Sequence, residues 1–156
     1  MLTHQLHTEA DTLAFGRYVA AQTRAGDTIA LSGPLGSGKT VFARGFIRQR
    51  LGYDIDVSSP TFNIVQVYDQ TTPAIWHFDF FRLEHPDECA ELGLDEALVK
   101  GLTIIEWPEK VAGWLPKERL DIFLTGNEQT SLNSATLRPT RNWQTRIEYI
   151  LQQSSK

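Results

Sequence analysis

One cysteine, Cys89, stands in a chain of 156 residues, so no disulfide can close within it, and a lone thiol filling a helix suits a reducing cytosol. No apolar run approaches the roughly 20 residues that a membrane-spanning helix needs. The first residues, Met1 to Asp11, carry neither the basic nor the apolar region of a signal peptide. Together these absences lead to the expectation of a cytoplasmic protein with no membrane role. Basic charge is not in excess either: the formal net charge is −4, which argues against a nucleic-acid-binding face as the main feature. No internal repeat or low-complexity linker divides the chain. Its length suits one domain, residues 1–156, with a core of its own, and 41% hydrophobic with 22% charged residues is the composition of a globular protein.

What the chain does have is the stretch Gly33-Pro34-Leu35-Gly36-Ser37-Gly38-Lys39-Thr40. It fits the phosphate-loop pattern, and it lies between a strand-like run, Thr28 to Leu31, and a helix-like run in which Val41, Phe42, Gly45, Phe46 and Ile47 keep helical spacing. A tight loop turns successive backbone N–H groups inward above a helix N-terminus, which makes a concave site for the negative charge of a nucleoside triphosphate. Gly33, Gly36 and Gly38 permit that curvature. Lys39 is placed to reach the β- and γ-phosphates, and the Thr40 hydroxyl to hold a Mg²⁺ ion that bridges them. Gly52 ends the helix.

The remaining chain reads in order around that loop. Leu2 to His7 alternates as an edge strand. Thr8 and Asp11 make a helix cap, and Leu13, Ala14, Tyr18, Val19 and Ala21 make one apolar helical face. Glu9 is explained by the electrostatic preference of a helix N-terminus for acid. Val57 to Tyr68 has strand character behind a stiff Ser58-Ser59-Pro60 lead, and Thr61 is the candidate for a threonine that senses the γ-phosphate and metal. The apolar run from Ala74 ends in Asp79, a metal-site carboxylate at a strand's C-terminal end. His77 shares that strand face and reads as packed or hydrogen-bonded. Arg82 is left open between a local ion pair and a charge stabiliser. A helical stretch from Pro86 is interrupted at Gly93 and ended by Gly101, with an acidic solvated face. Leu102 to Ile105 is a buried central strand ending in Glu106, which either coordinates Mg²⁺ through water or orients the attacking water. Trp107 either shields the site or fills core. Arg119 to Thr125 and Ser134 to Leu137 are strands joined by the polar turn Gly126 to Asn133, and Trp143, Ile147, Ile150 and Leu151 mark a closing helix. Asp121, at the start of its strand, is structural.

Three functions compete for these residues: an ATPase, a small-molecule kinase of the phosphate-loop type, and a nucleotide-gated binding module with negligible turnover. A kinase calls for an Arg-rich lid over the transferred phosphoryl group, and none is evident after the loop. No Asn/Thr-Lys-x-Asp string reads guanine, which weakens a GTPase.

Taken together and in order, GPLGSGKT, SSPTF, HFDFFRL, ELGLDE and IEWPEK resemble the TsaE family, the small ATPase of the bacterial machinery that makes threonylcarbamoyladenosine in tRNA. The likeness runs from Glu9 to Pro108. Ser37 stands where Ala is usual, and Phe80-Phe81 where Leu-Tyr is usual; neither change removes a charge or a ligand. The resemblance implies an α/β fold, a single phosphate-loop domain with a mixed, mostly parallel sheet flanked by helices. It implies ATP or ADP with Mg²⁺, and action with the TsaD and TsaB proteins, which hold the tRNA. It puts the phosphate cradle on Leu35, Gly36, Ser37, Gly38, Lys39 and Thr40. The metal falls on Thr40, Glu106 and Asp79, and the catalytic roles on Lys39, Glu106, Asp79 and the switch Thr61. It also brings Glu9 and Trp107 towards the nucleotide.

Overall fold

In the computed structural model, which describes residues 1–126 and 133–155, the expected cap opens the first helix. The Asp11 N–H donates to Thr8 Oγ1 at 3.1 Å while the Thr8 N–H donates back to Asp11 Oδ2 at 3.0 Å, satisfying two N–H groups that the helix leaves unpaired. The helix, α1 (Glu9–Ala21), follows the strand β1 (Leu2–Leu6). Its buried side is not the expected one: Thr12, Phe15, Gly16, Val19 and Ala20 face inward, while Tyr18 is 38% exposed. The reason is backbone proximity. A Cβ on Gly16 would lie 2.2 Å from the Phe42 carbonyl oxygen, and one on Gly45 would lie 2.1 Å from that of Leu13. The inward face is therefore chosen by two glycines, which an apolar-periodicity reading does not score.

Next come β2 (Thr28–Ser32) and α2 (Lys39–Leu51), which Gly52 ends in the left-handed conformation as expected. The strand expected from Phe62, behind the Ser58-Ser59-Pro60 lead, is shorter than its apolar pattern: β3 covers only Val65–Tyr68. Before it the chain turns, with the Ile64 N–H donating to the Pro60 carbonyl at 2.6 Å and Phe62 left 81% exposed. Pro60 offers no N–H to a ladder, and Ile64 has φ +69°, a conformation a β-branched residue rarely takes. The chain continues through β4 (Ile75–Asp79), α3 (Glu88–Glu91), α4 (Leu94–Lys100) and β5 (Leu102–Glu106), with Gly93 separating the two short helices as expected. A 3₁₀ segment, Pro108–Trp114, leads to β6 (Leu120–Thr125), β7 (Asn133–Pro139) and, after a 3₁₀ turn at Arg141–Trp143, to α5 (Gln144–Ser154). Residues 127–132 of the expected polar turn lie outside the described residues.

The seven strands form one sheet in the order β1-β7-β6-β2-β5-β4-β3. β6, β2, β5 and β4 are mutually parallel. β7 is antiparallel to β6, β1 is antiparallel to β7, and β3 is antiparallel to β4, so only β3 and β7 run against the rest. The sheet is thus mixed and mostly parallel. Helices cover both faces, as parallel strands require. Phe15, Phe42, Phe46, Trp143 and Ile150 pack on Ile75, Leu102 and Ile104 from one side. Phe80, the Cys89 thiol, Leu94 and Val111 pack on Phe78 and Ile105 from the other, each large apolar side chain contributing about 1.5–3 kcal/mol. α5 is tied down by Arg146, whose guanidinium donates to both oxygens of buried Asp27, at 2.6 and 3.2 Å, and to the Gln22 carbonyl at the end of α1. This single domain, an α/β sandwich, sets the carboxyl ends of β2, β4 and β5 side by side, the place where open α/β sheets bind ligands.

Candidate functional site

The loop from Gly33 to Gly38 joins β2 to α2, and it bends because Gly33, Gly36 and Gly38 have φ of +145°, +78° and +103°. Gly33 is irreplaceable on space as well: a Cβ there would lie 2.3 Å from the Leu124 carbonyl at the end of β6. Ser37 is buried, its Oγ without a partner among the described residues, and with Leu35, Gly36 and Gly38 it lines a cavity of about 310 Å³. Lys39 is only 5% exposed. Its Nζ donates to the carbonyls of Gly33 and Pro34, at 2.5 and 3.0 Å, and lies 4.4 Å over the Trp107 ring. Burial pushes the ammonium's pKa below 10.5, against the pull of the Glu106, Asp79 and Glu109 carboxylates.

Four backbone segments, α2, the ends of β4 and β5 and the stretch with Ser59 and Thr61, bring side-chain oxygen atoms to the wall of that cavity. From α2, the Thr40 hydroxyl stands 3.4 Å from Glu106 Oε1. From the end of β5, Glu106 receives Ser59 Oγ on Oε2 at 3.1 Å, and His77 Nε2 meets the same oxygen at 2.7 Å. At the end of β4, Asp79 Oδ2 accepts from Ser59 and, at 3.3 Å, from Thr61, while Oδ1 accepts from the Phe81 N–H at 3.0 Å. Asp79 and Glu106 are direct partners across the parallel β4–β5 pair, so the sheet register itself makes the two carboxylates neighbours. Both are nearly fully buried. A hydroxyl and two carboxylates form a set of hard oxygen donors, the chemistry that suits Mg²⁺ held by few protein ligands beside phosphate.

Leu35, Gly36, Ser37, Gly38, Lys39, Thr40, Thr61, Asp79, Glu106 and Trp107 all line the cavity, so the structure gathers nearly every residue singled out in the sequence. Gly33 contributes its carbonyl to Lys39 rather than a wall. Glu9 is not gathered in: it is exposed at the first turn of α1 and does not line the cavity, although that end of α1 reaches the loop, with Thr12 3.4 Å from where a Gly38 Cβ would be. Trp107 has φ +60°, a strained conformation for a large residue, which turns its ring over Lys39 and against Phe81, 5.0 Å away. The ring thus packs against Phe81 and also lines the cavity beside Lys39. Among the described residues Arg82 pairs with no carboxylate; its guanidinium lies 4.4 Å over the exposed Phe62 ring.

Ser59, expected only as part of a stiff lead, reaches both carboxylates. Its signal was the doubled hydroxyl before Pro60, but only the fold shows that it spans both carboxylates. His77 is hydrogen-bonded, as read, with Glu106 as the partner. Of the three arginines that follow the loop in α2, two are committed to backbone: Arg44 donates to the Val57 carbonyl at 3.0 and 3.2 Å, and Arg48 to that of Ile55 at 2.9 Å, while Arg50 does not line the cavity. Arg44 and Arg48 fasten α2 to the segment that carries Ser59 and Thr61. Asp121 accepts from Arg119 at 2.9 Å, a structural pair as expected.

Comparison with known proteins follows the same lines. A family model described as "Threonylcarbamoyl adenosine biosynthesis protein TsaE" matches residues 6–135. The chain is similar to proteins named "tRNA threonylcarbamoyladenosine biosynthesis protein TsaE" from Rickettsia typhi, at 36% identity over 121 residues covering 78% of this chain and 84% of that one. The protein of that name from Bacillus subtilis is 39% identical over 115 residues, covering 73% and 71%. A crystal structure of Bacillus subtilis YdiB superposes with a TM-score of 0.79 at 28% identity, covering 97% of this chain and 95% of that one.

Proposed function

This chain belongs to the TsaE family of threonylcarbamoyl adenosine biosynthesis proteins, and on that premise we propose that it is a Mg²⁺-dependent ATPase serving threonylcarbamoyladenosine modification of tRNA, acting with the TsaD and TsaB proteins. The observation that carries this reading is the meeting of Thr40 Oγ1 with Glu106 Oε1, 3.4 Å apart at the mouth of the glycine loop. A hydroxyl at a phosphate loop and a carboxylate from the central strand, opposite one another, are what a bridging Mg²⁺ and a hydrolytic water need.

The chain's residues divide the work. The N–H groups of Leu35 to Thr40 cradle phosphate oxygens, and Lys39 exchanges its two loop carbonyls for the β- and γ-phosphates. Thr40, Glu106 and Asp79 would hold Mg²⁺, which when bound draws charge from the phosphate oxygens. Glu106 then orients the attacking water, Thr61 follows the γ-phosphate, and Trp107 covers the reacting end. Among the described residues no arginine is aimed at this cavity: Arg44 and Arg48 are held by carbonyls and Arg82 by Phe62. An arginine supplied in trans accelerates such reactions by about 10³–10⁵, so the isolated chain hydrolyses ATP slowly and its partners complete the site. The tRNA is reached through that complex, in the cytoplasm. No helix of the described residues is long and apolar enough to cross a membrane.

The test is ATP turnover by the chain alone and with TsaB and TsaD proteins. Slow turnover alone and a marked increase with both partners is expected. Turnover that ignores the partners and passes phosphate to a small acceptor overturns the reading in favour of a kinase.

A further inference from the structure

His77 is completely buried in β4, between Ile75 and Asp79 on one strand face, and its register partner on β5 is Ile104. Among the described residues its ring has one polar contact: Nε2 lies 2.7 Å from Glu106 Oε2, and Nδ1 has no partner. A residue needed only to fill that space would be Leu or Phe, which leaves no polar atom stranded in the interior. The retained donor therefore has to be explained by what it does to Glu106.

That carboxylate has two oxygens with different company. Oε2 is held from behind by His77 Nε2 and by Ser59 Oγ, while Oε1 is the one that faces Thr40 across the cavity mouth. Ser59 has one hydroxyl proton to share between Asp79 and Glu106, so His77 Nε2 is the donor that Oε2 has to itself, and rotation about the terminal bond of Glu106 would break that hydrogen bond in a buried setting. The geometry points to His77 as a positioning residue for metal binding: as the Nε2–H tautomer it locks the Glu106 carboxylate with Oε1 turned towards Thr40. Outer hydrogen bonds of this kind orient metal-binding carboxylates, and removing one typically lowers metal affinity or activity by about 10–100-fold. This inference rests on the proposed Mg²⁺–ATP site and adds to it the residue that sets the carboxylate's orientation.

The experiment measures ATP binding by calorimetry with the full chain, in EDTA and across a Mg²⁺ titration, for the parent, His77→Leu and His77→Gln. His77→Leu raises the Mg²⁺ concentration for half-maximal tightening by about 10–100-fold, while affinity for metal-free ATP stays at the parent value. His77→Gln, whose amide can donate from nearly the same point, restores most of the Mg²⁺ response. An unchanged Mg²⁺ response in His77→Leu overturns the inference, as does an equal loss in EDTA, which would mean a merely structural role. A parent chain that binds no ATP sinks the functional reading instead. Should the Leu variant fail to fold, imidazole ¹⁵N resonances of the parent decide the matter. A ring carrying its proton on Nε2 is expected, and a ring with Nε2 unprotonated overturns the inference.

Discussion

The ammonium of Lys39 rests 4.4 Å above the Trp107 ring, with the strained backbone of Trp107 holding the ring in that position. This stacking, together with two loop carbonyls, supports a lysine that is almost entirely removed from water. Its cost in hydration is what lowers its pKa.

That pKa gives a pH prediction. The ammonium loses its proton below 10.5 because burial outweighs the pull of Glu106, Asp79 and Glu109. ATP affinity is therefore full at neutral pH and falls as pH rises through the lowered value. Free-chain stability rises over the same interval, since the unfolded lysine still holds its proton while the folded one has released it. Lys39→Ala removes a charge-assisted contact of about 1.5–3 kcal/mol, a roughly ten- to hundred-fold loss of ATP affinity in calorimetry. Unchanged affinity would move the phosphate site elsewhere.

Glu106→Ala separates binding from chemistry. Nucleotide affinity in EDTA is retained, and Mg²⁺-dependent hydrolysis in the presence of partners drops by about 10²-fold or more. Equal hydrolysis by variant and parent would assign the water-orienting role to Asp79.

Among the described residues Thr61 touches the paired carboxylates through Asp79 alone, at 3.3 Å, so its removal leaves the glycine loop intact. Thr61→Ala binds ATP as the parent does but loses the increase in turnover on adding TsaB and TsaD proteins. Retention of that increase in a steady-state assay would end its role as a switch.

Gly45→Ala tests the helix contact on which the loop is mounted. A Cβ 2.1 Å from the Leu13 carbonyl forces α1 and α2 apart, which costs about 1–3 kcal/mol in urea denaturation. A change under about 0.5 kcal/mol would show that the helices separate freely.

Much of this was legible in one dimension because it is local chemistry. The glycines of the loop, the Thr8–Asp11 cap, the stop at Gly52 and the apolar run ending in Glu106 all announce themselves through neighbours within a few residues. Their backbone preferences act at that range. The same range explains the differences: the inward face of α1 departs from its apolar period because Gly16 and Gly45 are interior for want of space, and Phe62 to Ile64 is a turn rather than strand because Pro60 and the backbone at Ile64 outweigh the apolar pattern.

What could be read along the chain alone was a glycine-rich loop with a lysine, a threonine and two candidate carboxylates, since spacing along one loop and polarity at strand ends are set by covalent neighbours. Only the tertiary structure decided that His77 meets Glu106 across 29 residues and Thr40 meets it across 66, and that Ser59 bridges Glu106 and Asp79. Such pairings depend on strand order and register, which follow from how the buried faces of the sheet fit α2 and α4, and no local period carries that information.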